Sequence, residues 1–171
     1  MRYEELHGCK VPNVGFGTWS IGGGTRADRN RDAASLAALR SAIELGYAHF
    51  DTAETYAAGH CEELLRRAIR ESRTDRGGLF LTSNVQPAYL NAENVLRACE
   101  GSLRRLGTEY LDLHLIHWPN QEIDLVESFR GLNGLVKSGM AGNWVSAISV
   151  STCSNKRGGC PRRRSSLIRF R

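Results

Sequence analysis

Asp51 and Tyr56 stand five residues apart in the stretch HFDTAETY, where a short apolar run gives way to a helical pattern of Leu64, Leu65, Ala68 and Ile69. Carboxylate and phenol both handle protons, and so does the imidazole of His117, which closes a later apolar run. The question is whether the chain brings the three together. An isolated pair has a plainer reading: Asp51 and Thr52 end a strand, and Tyr56 packs against a neighbour. Repetition weighs against it. Thr18 and Trp19 follow one apolar run, Asn84 ends another, and Trp118 accompanies His117 at the end of a third.

The elements that would carry these residues recur at a steady interval. Strand-like runs begin near Val14, His49, Leu79 and Leu111, with a fainter one near Asn143, and the starts lie 35, 30, 32 and 32 residues apart. Helical patterns fill the gaps. The first sets Leu36, Leu39 and Ile43 on one face, with Asp32 as the expected cap and Gly46 as the stop. Another runs from a cap at Asn91 through Val95, Leu96, Cys99, Leu103 and Leu106 to Gly107. A last one carries Leu125, Phe129, Leu132 and Val136 and ends at Gly139.

Units of about 30 residues, strand then helix then strand, predict βαβ crossovers and a parallel sheet. The opening YEELHGCKVPNVGFG reads as a short hairpin with its turn near Gly8, and residues 22–31 read as a loop. The predicted fold class is α/β, and the family resemblance given below implies the N-terminal portion of a (β/α)8 barrel, about four to five βα units. Strands of such a barrel all run the same way, so their C-terminal ends share one mouth. Thr18, Asp51, Asn84 and His117 would meet there.

Composition narrows the function classes. The chain suits one domain with a sizeable core, has no apolar run long enough to span a membrane, and opens without a secretory signal pattern. Five scattered cysteines without a C-x-x-C fit reduced thiols, so the cytoplasm is the expected compartment. In GFGTWS, Ser20 stands where the third glycine of a dinucleotide fingerprint belongs, which argues against a doubly wound fold. His114 and His117 spell H-x-x-H, but residues three apart on a strand face opposite sides, and no metal site is expected.

The formal charge of +5 is local. Residues 156–171 hold seven basic side chains and no acidic one, while residues 1–155 hold 16 basic and 18 acidic. A basic segment of this kind attracts polyanions weakly and without a recognised nucleic-acid motif; a solvated, disordered tail is the plainer expectation.

VGFGTW, AIELGYAHFDTAETY, LFLTSNV and SLRRLGTEYLDLHLIHWPN, in that order and spacing, resemble the aldo-keto reductase family across residues 5–144. The resemblance implies an NAD(P)H-dependent reduction of aldehyde or ketone carbonyls to alcohols, with NADPH the expected cofactor and NADH the alternative. It makes Tyr56 the general acid and His117 the group that orients the carbonyl. Asp51 would help to position a catalytic lysine, Thr18 and Asp51 would contact the cofactor, and Trp19 and Trp118 would wall the substrate pocket. The residue types suit the task, because a phenol with a reference pKa of about 10 can protonate a forming alkoxide and stay neutral at pH 7.

Two departures qualify the resemblance. Asn84 stands at the position of the family's lysine, whose charge lowers the phenol's pKa, so Tyr56 beside Asp51 is expected to hold its proton tightly. The family also continues past Gly139 into a strand reading roughly GVSN, where this chain reads GNWVSAISVST. Restoring one G after the Trp144 codon lets the neighbouring frame of residues 145–149 encode Gly-Val-Ser-Asn-Phe. The expected division is therefore a partial barrel over residues 1–144 and a frameshifted tail over residues 145–171, which resequencing the gene tests. A barrel so interrupted would bind its cofactor weakly and self-associate through open strand edges. The alternative is a non-catalytic remnant that serves as a protein-binding module.

Overall fold

A computed structural model describes residues 2–6 and 9–146 of the chain. Strand β1 (Tyr3–Leu6) pairs antiparallel with β2 (Cys9–Pro12), as the hairpin reading requires; its turn at Gly8 lies outside the described residues. Five further strands follow: β3 (Gly15–Gly17), β4 (His49–Asp51), β5 (Phe80–Val85), β6 (Leu111–Ile116) and β7 (Ala141–Ser146). They form one parallel sheet in that order. Helices α1 (Asp32–Glu44), α2 (His60–Glu71), α3 (Ala92–Leu106) and α4 (Leu125–Lys137) fill the crossovers, each packed on the next. The fold is α/β, with the strand order of a partial (β/α) barrel. Of the expected tail over residues 145–171, Val145 and Ser146 continue β7 beside β6, and residues 147–171 lie outside the described residues.

Burial follows the sequence pattern. All six residues of β5 are buried, and the core between sheet and helices includes Leu39, Phe50, Leu65, Leu81, Ile116, Leu132 and Leu135. Each such side chain stabilises the fold by about 1.5–3 kcal/mol through apolar burial. Alternation along β5 sorts its polar groups. The Ser83 hydroxyl meets Glu62 and Ser102 on the helix side, whereas Thr82 meets His49 and Asn84 meets Asp51 on the opposite face.

Capping agrees with expectation at α3, where the Asn91 side chain accepts from the Asn94 N–H and Gly107 closes the helix at φ 66°. It differs at α1. Asp32 is the first helical residue and makes no cap; Asp28 instead accepts from the Asn30 N–H in a short 3-10 turn before the helix. The physical reason is competition, since the Asp32 carboxylate is engaged with His60 Nε2 at 2.8 Å. None of the described helices is long and apolar enough to cross a membrane.

Candidate active site

Strand β4 ends on Asp51, and β5 brings Asn84 alongside. The Asn84 amide donates to Asp51 Oδ1 at 3.3 Å and to the Thr52 carbonyl at 2.7 Å, so the carboxamide braces both the carboxylate and the strand that carries it. Below them Thr18 is fully buried. Its N–H and its hydroxyl both donate to the Asp51 carbonyl, at 2.9 and 3.0 Å.

Tyr56 follows five residues later, aimed by an unusual turn. Ala57 and Ala58 both take left-handed backbone angles, φ 49° and 54°, and Gly59 follows at φ 89°. The Ala57 N–H donates to the Gly24 carbonyl at 2.6 Å, which ties this turn to the loop after β3. From the other side, β6 ends at Ile116. The N–H of the next residue, His117, donates to the Val85 carbonyl at 3.0 Å and sets the imidazole at the same rim.

The predicted residues therefore converge. The Tyr56 hydroxyl lies 3.4 Å from His117 Nε2, a long contact that leaves room for an oxygen accepting from both groups. Trp19 meets the Tyr56 ring edge-on at a centroid distance of 5.0 Å, and His117 stacks on Trp118 at 3.6 Å. Both indoles are 54% exposed, so they flank the phenol and imidazole as walls open to solvent. Of the residues named from the sequence, Thr18 and Asn84 are buried, and both reach the site through Asp51.

Electrostatics favour neutral donors here. Burial raises the Tyr56 pKa above its ordinary value, and the Asp51 carboxylate raises it further. Burial lowers His117, so its imidazole is uncharged at pH 7. Burial raises Asp51, partly offset by the hydrogen bond from Asn84. A neutral phenol and a neutral imidazole facing one gap can hold an electronegative oxygen and pass it a proton.

Two contributors were not named from the sequence. Cys61 lies fully buried beneath the site, where its thiol donates to Thr18 Oγ1 at 3.2 Å and Thr52 donates to its sulfur at 3.5 Å. Glu54 accepts the Gln86 N–H at 2.9 Å and clips the loop after β4 to the loop after β5. Its place between Asp51 and Tyr56 is the signal that could have found it. The two histidines of H-x-x-H part as the strand geometry requires. His114 is buried opposite Ser83 on the helix side, and His117 faces Tyr56.

Comparison with known proteins agrees with this geometry. The sequence profile of the Aldo/keto reductase family matches residues 13–155. The chain belongs to the aldo/keto reductase family. Among curated aldo/keto reductase relatives, methylglyoxal reductase YeaE of Escherichia coli is 38% identical over 134 residues, covering 78% of this chain and 44% of its own length. The glyoxal reductase of Bacillus subtilis is 36% identical, covering 86% of this chain and 48% of itself. Among solved structures, the thermostable aldo-keto reductase Tm1743 with the inhibitor epalrestat superposes with a TM-score of 0.81 at 42% identity, over 85% of this chain and 53% of that one. An aldo-keto reductase of Klebsiella pneumoniae in complex with NADPH superposes at 0.72 and 37% identity, over 83% and 47%. This aldo/keto reductase chain spans about half the length of the curated relatives it matches.

Proposed function

We propose that the chain acts in the reduction of a small aldehyde or ketone to an alcohol, with Tyr56 as proton donor and His117 as the group that orients the carbonyl. The observation that carries this reading is the 3.4 Å approach of the Tyr56 hydroxyl to His117 Nε2 at the strand-end mouth. The carbonyl oxygen accepts from both, Trp19 and Trp118 flank the substrate, and the phenol proton moves to the oxygen as negative charge develops there. A reduced nicotinamide held beside Asp51 would supply the hydride, NADPH being the proposed form. Solvent then reprotonates the phenolate.

The cofactor residues fit unequally. Asp51 stands half-buried at the mouth with Oδ1 held by Asn84, which leaves Oδ2 as an acceptor for an amide N–H. Thr18 does not fit a direct contact, because it is fully buried and spent on the Asp51 carbonyl; we assign it the positioning of Asp51. The division into a partial barrel over residues 1–144 and a frameshifted tail over residues 145–171 belongs to this proposal as well, with β7 reaching two residues past that boundary.

Tyr56→Phe tests the reading. With NADPH binding followed by fluorescence titration, the variant is expected to keep the affinity of the parent chain while aldehyde reduction falls about 100-fold or more. Reduction by the variant at the parent rate would overturn the assignment. The second reading, a non-catalytic protein-binding remnant, draws on the uncharged Asn84 at the lysine position. NADPH binding by neither protein would favour it.

A further inference from the structure

Away from the mouth, a groove of about 410 Å³ runs between α2 and α3. Arginine supplies five of its seven lining residues: Arg66, Arg67, Arg70, Arg104 and Arg105. A trough of about 370 Å³ continues it along α3, shares Arg104 and Arg105, and adds Arg97. Cations collected on one face repel each other and need compensation, so the location of the nearby carboxylates decides what the groove is for.

Those carboxylates neutralise only part of the groove. Glu63 is engaged with His60 Nδ1 at 3.0 Å. Glu62 is fully buried beneath the groove, where it accepts from Ser83 and holds Arg105 Nε at 2.6 Å. Glu71 accepts from Arg67 at 2.7 Å and from Arg40 at 3.1 Å, at the far end of α2. Glu93 pairs with Arg97 at 2.5 Å. Arg66, Arg70 and Arg104 make no hydrogen bond or ion pair among the described residues.

The backbone makes room for these guanidinium groups. A side chain at Gly107 would come within 2.5 Å of Arg66 Nε, and one at Gly101 within 3.1 Å of Arg105 Nη1. Two arginines thus lie flat against bare backbone, held by shape and, for Arg105, by a buried carboxylate. Held guanidinium forks bind phosphate oxygens in pairs and lose less conformational freedom than free side chains would.

We propose that this groove binds a polyphosphate chain, a di- or triphosphate group, at a site separate from the mouth. Arg66 and Arg104 supply the unpaired charge, Arg70 adds a cation that only the field of Glu71 offsets, and Arg105 is the fixed anchor between them. The proposal does not rest on the reductase reading.

The test titrates inorganic tripolyphosphate into the full chain by calorimetry. The expected result is saturable binding that weakens with added salt and that falls about tenfold or more in Arg66→Gln/Arg70→Gln/Arg104→Gln. Absence of saturable binding overturns the proposal. So does equal binding by the triple variant, which would assign the anion to the basic residues 156–171. Should the variant fail to fold, hydrogen exchange on the unaltered chain decides. Protection of residues 60–71 and 92–106 by tripolyphosphate supports the site, and protection confined elsewhere overturns it. A parallel titration with a nucleoside triphosphate separates the sources: equal affinity means that the phosphate chain alone is read, and tighter affinity means that the nucleoside adds contacts.

Discussion

In the proposed reaction, Asn84 controls the proton at the mouth through what it lacks. Its amide meets Asp51 and Thr52 and so keeps the geometry of the site, but it brings no positive charge to set against the Asp51 carboxylate. Burial and that carboxylate together push the Tyr56 phenol above its ordinary pKa. A phenol of this kind donates reluctantly, and its phenolate, which alcohol oxidation needs, is scarcer still. Lysine at position 84 would place a cation within reach of both groups, lower the phenol's pKa and speed proton transfer. Asn84→Lys is therefore expected to raise carbonyl reduction about tenfold or more and alcohol oxidation by a larger factor. Single-turnover rates with saturating NADPH read the effect, and an ultraviolet pH titration of the tyrosine band reads the cause. A variant no faster than the parent would mean that Tyr56 is not the rate-determining donor.

Among the elements, the turn between β4 and α2 carries the most strain. Two consecutive alanines in left-handed angles cost roughly 1–2 kcal/mol each, because the Cβ crowds the following carbonyl. Ala57 is buried and hydrogen-bonded to the Gly24 carbonyl, but Ala58 is exposed. Ala58→Gly should relieve the strain there, less the added freedom of the unfolded chain, and raise the melting temperature by about 2 °C. Calorimetry checks it; a lower melting temperature would show that the alanine is not strained. Nothing in the pair of alanines announces such a turn, since alanine favours helix, and only the Gly59 that follows hints at it. The strands and helices were legible because apolar spacing reports burial directly, and so were the caps at Asn91 and Gly107, which act on their own helix. The mouth was legible for the same reason, its residues being strand-end residues. Asp32 was misread because its partner His60 lies 28 positions away. Cys61 and the arginine groove were invisible because both depend on which helix lies beside which.

For the molecule as a whole, pH exposes the consequence of burying His114. It sits in β6 with neither ring nitrogen in a well-formed hydrogen bond, facing the helix layer opposite Ser83. Burial lowers its pKa to about 4 from the ordinary 6.5, with the Ser83 backbone only partly opposing. Between those values the unfolded chain binds a proton at this residue and the folded chain does not. Unfolding therefore becomes more favourable as pH falls, and stability is lost progressively from about pH 6.5 to about pH 4. The full effect is on the order of 3 kcal/mol, a large share of what a domain of this size has to lose. His60 works the other way. Burial lowers its pKa, but the carboxylates of Glu63 and Asp32 outweigh that and raise it, so its contribution is fully present below pH 6.5 and fades as pH rises. A single melting curve sums both, so the comparison must isolate one. His114→Leu keeps an apolar group of similar bulk and has nothing to protonate. Urea titrations of both proteins at pH 7 and pH 4.5 should show the parent losing about 2–3 kcal/mol more than the variant on acidification. Equal losses would mean that water or a partner reaches the His114 ring, and that the helix layer over β6 is less tightly closed than its burial implies.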